Sequence, residues 1–173
     1  MSSTDLSEVC LQQLNTLPQS VVADFFANIC HCQRWAEEMA ASRPYDSVES
    51  VLQKAREAWH DATEAEVLEA FQGHARIGDM NALKQKYSAA SKEQGQVAEA
   101  DDNVIQALFD ENEAYFDKNG FIFIVCATGK SAEEMLVLLR QRLPNPRALE
   151  VANGAMEQAK ITEIRIHQRV TLD

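Results

Sequence analysis

Glycine and proline are scarce, with six glycines and four prolines among 173 residues, about half their usual combined share of roughly 12%. So little turn punctuation suits a many-hairpin sheet poorly and favours helices. Positive charge is also in deficit: 16 Lys and Arg stand against 27 Asp and Glu, for a net charge of −11. That balance excludes a sequence-independent grip on nucleic acid or on an anionic membrane surface, since both need a cationic face. No apolar run approaches the roughly 20 residues that cross a bilayer. The first thirty residues lack the basic start and apolar stretch of a signal peptide, so a cytoplasmic location is expected. Cys10, Cys30, Cys32 and Cys126 are the only cysteines, and in that compartment they read as free thiols. Cys30-His31-Cys32 has gaps tighter than zinc pair spacing and no second pair downstream, so no metal site is expected.

What is present is a chain long enough for one sizeable core, without repeats, low-complexity tracts or a dividing linker. A single domain over residues 1–173 is expected: an all-α, multi-helix bundle with one short extended segment at about 121–127. The helices are predicted as follows. A short one covers Leu6 to Leu14, and a second runs from about 18 to 30 on the stripe Val21, Val22, Phe25, Phe26 and Ile29. A third spans Gln33 to Ser42 and stops before Arg43-Pro44. Asp46 with Glu49, Thr63 with Glu66 and Ser131 with Glu134 have capping-box spacing, which starts helices near 47, 64 and 132. A long helix is predicted from Ser91 to about Lys118, and a last one from about Pro146 to His167. Gly73 is expected to take the left-handed conformation just past a helix end. Phe121 to Ala127 is a continuous apolar run rich in β-branched and aromatic residues, and reads as extended. A lone strand cannot pair with itself, so its backbone polar groups must find helix ends, side chains, water or a ligand.

Several residues are candidates for chemistry. Ala127-Thr128-Gly129-Lys130-Ser131 resembles the tail of a phosphate-binding loop, but Ile124 stands where that motif needs glycine; the stretch is better read as a turn feeding the Ser131 cap. His74 lies between Gly73 and Ala75-Arg76-Ile77-Gly78, where two glycines let the backbone approach a bound molecule closely. Histidine exchanges a proton near neutral pH, although a lone loop histidine is also an ordinary surface residue. Glu93 follows Ser91-Lys92 at a helix start, where an acid also stabilises the helix dipole without further purpose. Arg165 is flanked by Ile164 and Ile166, and on pattern alone is also a surface arginine of the last helix.

In their order, five segments resemble the 2-oxo-4-hydroxy-4-carboxy-5-ureidoimidazoline (OHCU) decarboxylase family of uric acid degradation. They are Arg34-Trp35-Ala36-Glu37-Glu38-Met39 with Arg43-Pro44-Tyr45; Gly73-His74-Ala75-Arg76-Ile77-Gly78; Lys92-Glu93-Gln94; Asn119-Gly120-Phe121 through Lys130-Ser131; and Glu157-Gln158 with Lys160-Ile161 and Ile164-Arg165-Ile166. Each is weakly specific alone, and the ordered set covers most of the chain. Two positions depart from the family pattern: Ala75 stands where proline is usual, and Ala90 where serine usually lies three residues before the glutamate.

The resemblance implies an all-helical, homodimeric, cofactor-free carboxy-lyase (a decarboxylase of purine metabolism and allantoin biosynthesis) that converts OHCU to (S)-allantoin and carbon dioxide. It implies His74, Glu93 and Arg165 as the catalytic residues. Substrate contacts are implied at Ala75, Ala90, Ser91, Lys92, Glu93 and Gln94, and at Phe123, Ile124, Val125, Cys126 and Ala127. Two other readings stay open at this point: a helical interaction protein that keeps the fold without the chemistry, and a decarboxylase or lyase for a related ureido acid.

Overall fold

The structure, a computed structural model, describes residues 6–74 and 102–172. Among the described residues there are eight α-helices and one pair of two-residue strands, in line with the all-α expectation. The chain divides into two compact units, Met1–Gly73 with Ala155–Asp173, and His74–Gly154.

The first unit begins with β1 (Val9–Cys10), which pairs in parallel with β2 (Val170–Thr171). Five helices follow β1: α1 (Leu11–Thr16), α2 (Gln19–Ala27), α3 (Gln33–Ala41), α4 (Val48–His60) and α5 (Glu64–Phe71). The first helix therefore starts later than the predicted Leu6, because Val9 and Cys10 are taken into the strand pair. Cys10 then caps α1, its Sγ accepting from the Gln13 amide while the Gln13 side chain accepts from the Cys10 amide. The cap of α4 also differs from the predicted Asp46–Glu49 pair. Ser47 and Ser50 form the reciprocal box, their short hydroxyl arms reaching the open amides at that register. Thr63 and Glu66 form both halves of the predicted box at α5.

The core of this unit is built on α2, α3 and α4. Phe26 and Trp35 are fully buried and meet edge to face with centroids 5.8 Å apart; each such side chain contributes about 1.5–3 kcal/mol on burial. The Trp35 indole N–H donates to the Ala55 carbonyl at 3.1 Å, which satisfies the polar end of a buried aromatic. Arg34 donates to Glu66 and to the Ala58 carbonyl. Arg43 donates to the carbonyls of Ala40, Leu14 and Leu17, and the Arg43–Pro44 peptide is cis. The Arg-Trp and Arg-Pro-Tyr segments singled out in the sequence thus close helix ends onto one another here.

The second unit holds α6 (Asp102–Asn119), α7 (Ala132–Arg142) and the start of α8 (Arg147–Arg169), whose remainder belongs to the first unit. The part of the predicted long helix before residue 102 lies outside the described residues. Helix α6 packs on α7 through a core that includes Ile105, Leu108, Met135, Leu136 and Leu139. Ser131 caps α7 by accepting from the Glu134 amide. The Glu134 carboxylate accepts from the Ser131 hydroxyl and not from its backbone, so only half of the predicted box forms. On α8 the buried positions recur every fourth residue, at Glu150, Gly154, Gln158, Thr162 and Ile166, a stripe that is mostly polar.

Candidate active site

His74 stands three residues beyond the end of α5 and is half-buried. Gly73 before it is not left-handed, contrary to expectation: among the described residues only Gly120 and Gly129 have positive φ. Its requirement is space. A Cβ at Gly73 would lie 2.4 Å from the His31 Cβ and 3.0 Å from its Cγ, so the chain passes His31 at a distance that only glycine permits.

Arg165 lies on α8, half-buried, and its Nη1 donates to the Ile29 carbonyl at 2.7 Å. Among the described residues no carboxylate lies within ion-pair distance of it. Burial pushes its pKa down, Arg169 adds to that, and the neighbouring Cys30 opposes it. Burial pushes the Cys30 thiol up to about 12, so this sulfur stays protonated and does not neutralise the guanidinium. A half-buried guanidinium with no acid partner and a single hydrogen bond among the described residues has donors to offer an anionic group.

Residues 121–127 form no helix and join no ladder. Glycines at positive φ stand before and after the segment, Gly120 at 80° and Gly129 at 76°. Side chains and a turn take up three of the carbonyls instead. Arg142 Nη1 donates to the Ile124 carbonyl at 2.6 Å and Lys130 Nζ to that of Cys126 at 2.8 Å. The Lys130 amide reaches the Ala127 carbonyl at 3.0 Å, closing the turn into the Ser131 cap, as the sequence reading of residues 127–131 expects. The amide N–H groups of Phe123, Ile124, Val125 and Ala127 have no hydrogen-bond acceptor among the described residues. Among the described residues, then, the carbonyls of Ile124, Cys126 and Ala127 are taken and the four amide donors are not.

Arg142 was not foreseen, nor was Glu150, which anchors it. Glu150 is fully buried. Its Oε1 accepts from the Tyr115 hydroxyl at 2.6 Å and from Arg142 Nε at 2.7 Å, and its Oε2 from the side-chain amides of Asn145 at 2.9 Å and Asn153 at 2.8 Å. Burial acts to raise its pKa, but these hydrogen bonds and the Arg142 charge outweigh it and hold the carboxyl below its ordinary value. The Arg142 guanidinium also lies 4.6 Å from the centre of the Phe123 ring, which meets Tyr115 edge to face at 5.3 Å.

The other predicted site residues, Ala75, Ala90, Ser91, Lys92, Glu93 and Gln94, lie outside the described residues. An open groove of about 570 Å³ is lined by Gln19, Ser20, Ala23, Arg34, Glu37, Glu38 and Ala41 and holds no predicted site residue; Arg34 there is already paired with Glu38 and Glu66. Among the described residues no group of three or more His, Cys, Asp or Glu could hold a metal ion, and no helix is long and apolar enough to cross a membrane.

Comparison with known proteins gives these parts a family. The uric acid degradation bifunctional protein TTL of Arabidopsis thaliana is 34% identical over 142 residues, which are 79% of this chain and 44% of that protein, so the chain spans less than half of that relative. The 2-oxo-4-hydroxy-4-carboxy-5-ureidoimidazoline decarboxylase of Haloferax volcanii is 25% identical over 167 residues, covering 95% of this chain and 98% of that one. A crystal structure of OHCU decarboxylase in the presence of (S)-allantoin is similar at a TM-score of 0.69 and 32% identity, over 84% of this chain and 96% of the other. The family model described as OHCU decarboxylase matches residues 15–167, and with that extent of agreement the chain belongs to the OHCU decarboxylase family.

Proposed function

We propose that this chain decarboxylates OHCU to (S)-allantoin and carbon dioxide in uric acid degradation. The observation that carries the reading is the family match over residues 15–167, joined by the likeness to an OHCU decarboxylase crystallised in the presence of (S)-allantoin. In the reaction the bond between the ring and its carboxylate breaks and carbon dioxide leaves. The bonding electron pair moves through the hydroxyl-bearing carbon onto the adjacent imine-type nitrogen, which takes up one proton and leaves an enol; the enol hydroxyl then gives up its proton to become the ring carbonyl while the ureido-bearing carbon gains one on one face. Rate therefore comes from stabilising that charge, and stereochemistry from the position of one acid.

His74 is the proton donor in this reading, by the chemistry of an imidazole near neutral pH. Arg165 binds the carboxylate and the negative charge that develops; its half-buried guanidinium, without an acid partner among the described residues, supports this role. Glu93, an acceptor when ionised, takes the N–H groups of the ureido or ring amide, with Ala75, Ala90, Ser91, Lys92 and Gln94 beside it. Residues 123–127 face the flat, amide-rich ring with their backbone, and the N–H groups of Phe123, Ile124, Val125 and Ala127, without an acceptor among the described residues, support that. These residues need no cofactor for the steps described. The protein works as a homodimer in the cytoplasm in this reading, and light scattering on the eluted protein tests the dimer.

The test of the activity is to add the protein to freshly made OHCU and follow circular dichroism. Accelerated build-up of the (S)-allantoin signal supports the reading, and a slow drift to racemate at the uncatalysed rate overturns it.

A further inference from the structure

We propose that Arg142 is a positioning residue for the substrate, acting through the backbone of residues 123–125; this rests on the reading that residues 123–127 contact the substrate. Arg142 grips two consecutive residues of that segment. Nη1 holds the Ile124 carbonyl at 2.6 Å and the guanidinium lies 4.6 Å from the Phe123 ring centre. A trans peptide is planar, with its C=O and N–H pointing in opposite directions, and the cis bond between Arg43 and Pro44 is the only one among the described residues. Fixing the Ile124 carbonyl on Arg142 therefore aims the Val125 N–H directly away from Arg142. That N–H has no acceptor among the described residues, so it is a donor oriented in advance for a carbonyl or ring nitrogen of the substrate.

The grip is itself held. The Arg142 side chain is 12% exposed, and Glu150, 0% exposed, accepts from Nε and carries three further hydrogen bonds from Tyr115, Asn145 and Asn153. A guanidinium can do this because its planar fork reaches a carboxylate and a carbonyl at once while stacking on an aromatic ring. Lysine supplies one point charge and can keep only part of the set.

The experiment is steady-state decarboxylation of OHCU by the wild type and by Arg142→Lys, with thermal melting as the control for folding. A contact made equally in ground and transition states changes KM and spares kcat, so Arg142→Lys is expected to raise KM about tenfold with kcat within about threefold. A merely structural arginine shifts melting and leaves KM alone. If Arg142→Lys does not fold, the double variant Arg142→Met with Glu150→Gln removes both buried charges together and is held to the same expectation. In the wild type, titration with (S)-allantoin is expected to shift the Val125 amide resonance. Unchanged KM in a folded variant, or an unmoved Val125 amide, overturns the inference while leaving the decarboxylase reading in place. A wild type that does not accelerate OHCU decay overturns that reading, and this inference with it.

Discussion

Arg165 on α8 donates from Nη1 to the carbonyl of Ile29 at 2.7 Å, and this is its only hydrogen bond among the described residues. One donor of the fork fixes the direction of the guanidinium, and the others have no partner among the described residues, as the proposed anion contact requires. Replacing Arg165 by Ala or Gln removes a charged hydrogen-bonding partner worth about 1.5–3 kcal/mol. A fall in kcat/KM of roughly 10- to 150-fold is expected, with KM raised and kcat lowered. Kinetics of the variants beside a melting curve check this; unchanged kinetics would remove Arg165 from the site.

Gly73 is fixed by the side chain it passes. Gly73→Ala would set a Cβ 2.4 Å from the His31 Cβ and 3.3 Å from the Ala70 carbonyl oxygen, so the backbone beside His74 must move. Overpacking of this kind costs about 1–3 kcal/mol, which lowers the melting temperature by roughly 2–4 °C per kcal/mol in a chain of this size. His31→Ala keeps the offending Cβ and is not expected to rescue it. Rescue by His31→Ala would place the clash on the imidazole and not on the His31 Cβ.

Glu150 gives a pH dependence with a definite sign. Its folded-state pKa lies below the ordinary value, so the stability it contributes is complete above the unfolded-state pKa of about 4.3 and is lost as pH falls through the folded value. Glu150→Gln leaves Arg142 uncompensated, and breaking a buried pair in this way costs about 3–5 kcal/mol. Urea melts at neutral pH are expected to show that gap, and melts at progressively lower pH to show it closing. A gap that stays constant on acidification contradicts the assignment.

The thiols divide by environment. Burial pushes Cys30 up to about 12 and also raises Cys32, and Cys126 is buried, whereas Cys10 is only half-buried. Since the thiolate is the nucleophile, an aromatic disulfide reagent at mildly alkaline pH is expected to modify Cys10 rapidly in the native protein. The other three should react at the rate of unfolding. Fast modification of Cys30 would contradict the packing around Arg165.

Local features of this fold were legible because their causes are local. Thr63 with Glu66, the Ser131 cap and the stop before Arg43-Pro44 each depend on a few neighbouring residues, and helices α2, α3, α5 and α7 follow from them and from apolar spacing. The β1–β2 pair was not legible, since two residues near one end of the chain find two near the other with no pattern longer than a dipeptide. The sequence favours Asp46 with Glu49 over the Ser47–Ser50 box, one residue later, because both pairs have the same spacing and the acids suit a helix start. Arg142 and Glu150 were missed because charged helix residues usually face water. A signal did exist: Glu150, Gly154, Gln158 and Thr162 recur at four-residue spacing along α8, and a largely polar stripe of that period can be the buried one. For the candidate site, His74, Arg165 and 123–127 are proposed from the resemblance, while the Ile29 carbonyl that holds Arg165 and the Arg142 side chain that holds Ile124 required the structure.

The measurement that tests the central claim most directly is circular dichroism on freshly made OHCU with wild-type protein and with His74→Ala. Loss of a general acid lowers the rate about 10²- to 10⁴-fold. The account expects the wild type to build up the (S)-allantoin signal rapidly, and the variant to retain its fold while the signal decays to that of slow racemic product. Fast, stereospecific formation of (S)-allantoin by His74→Ala, or no acceleration by the wild type, would contradict it.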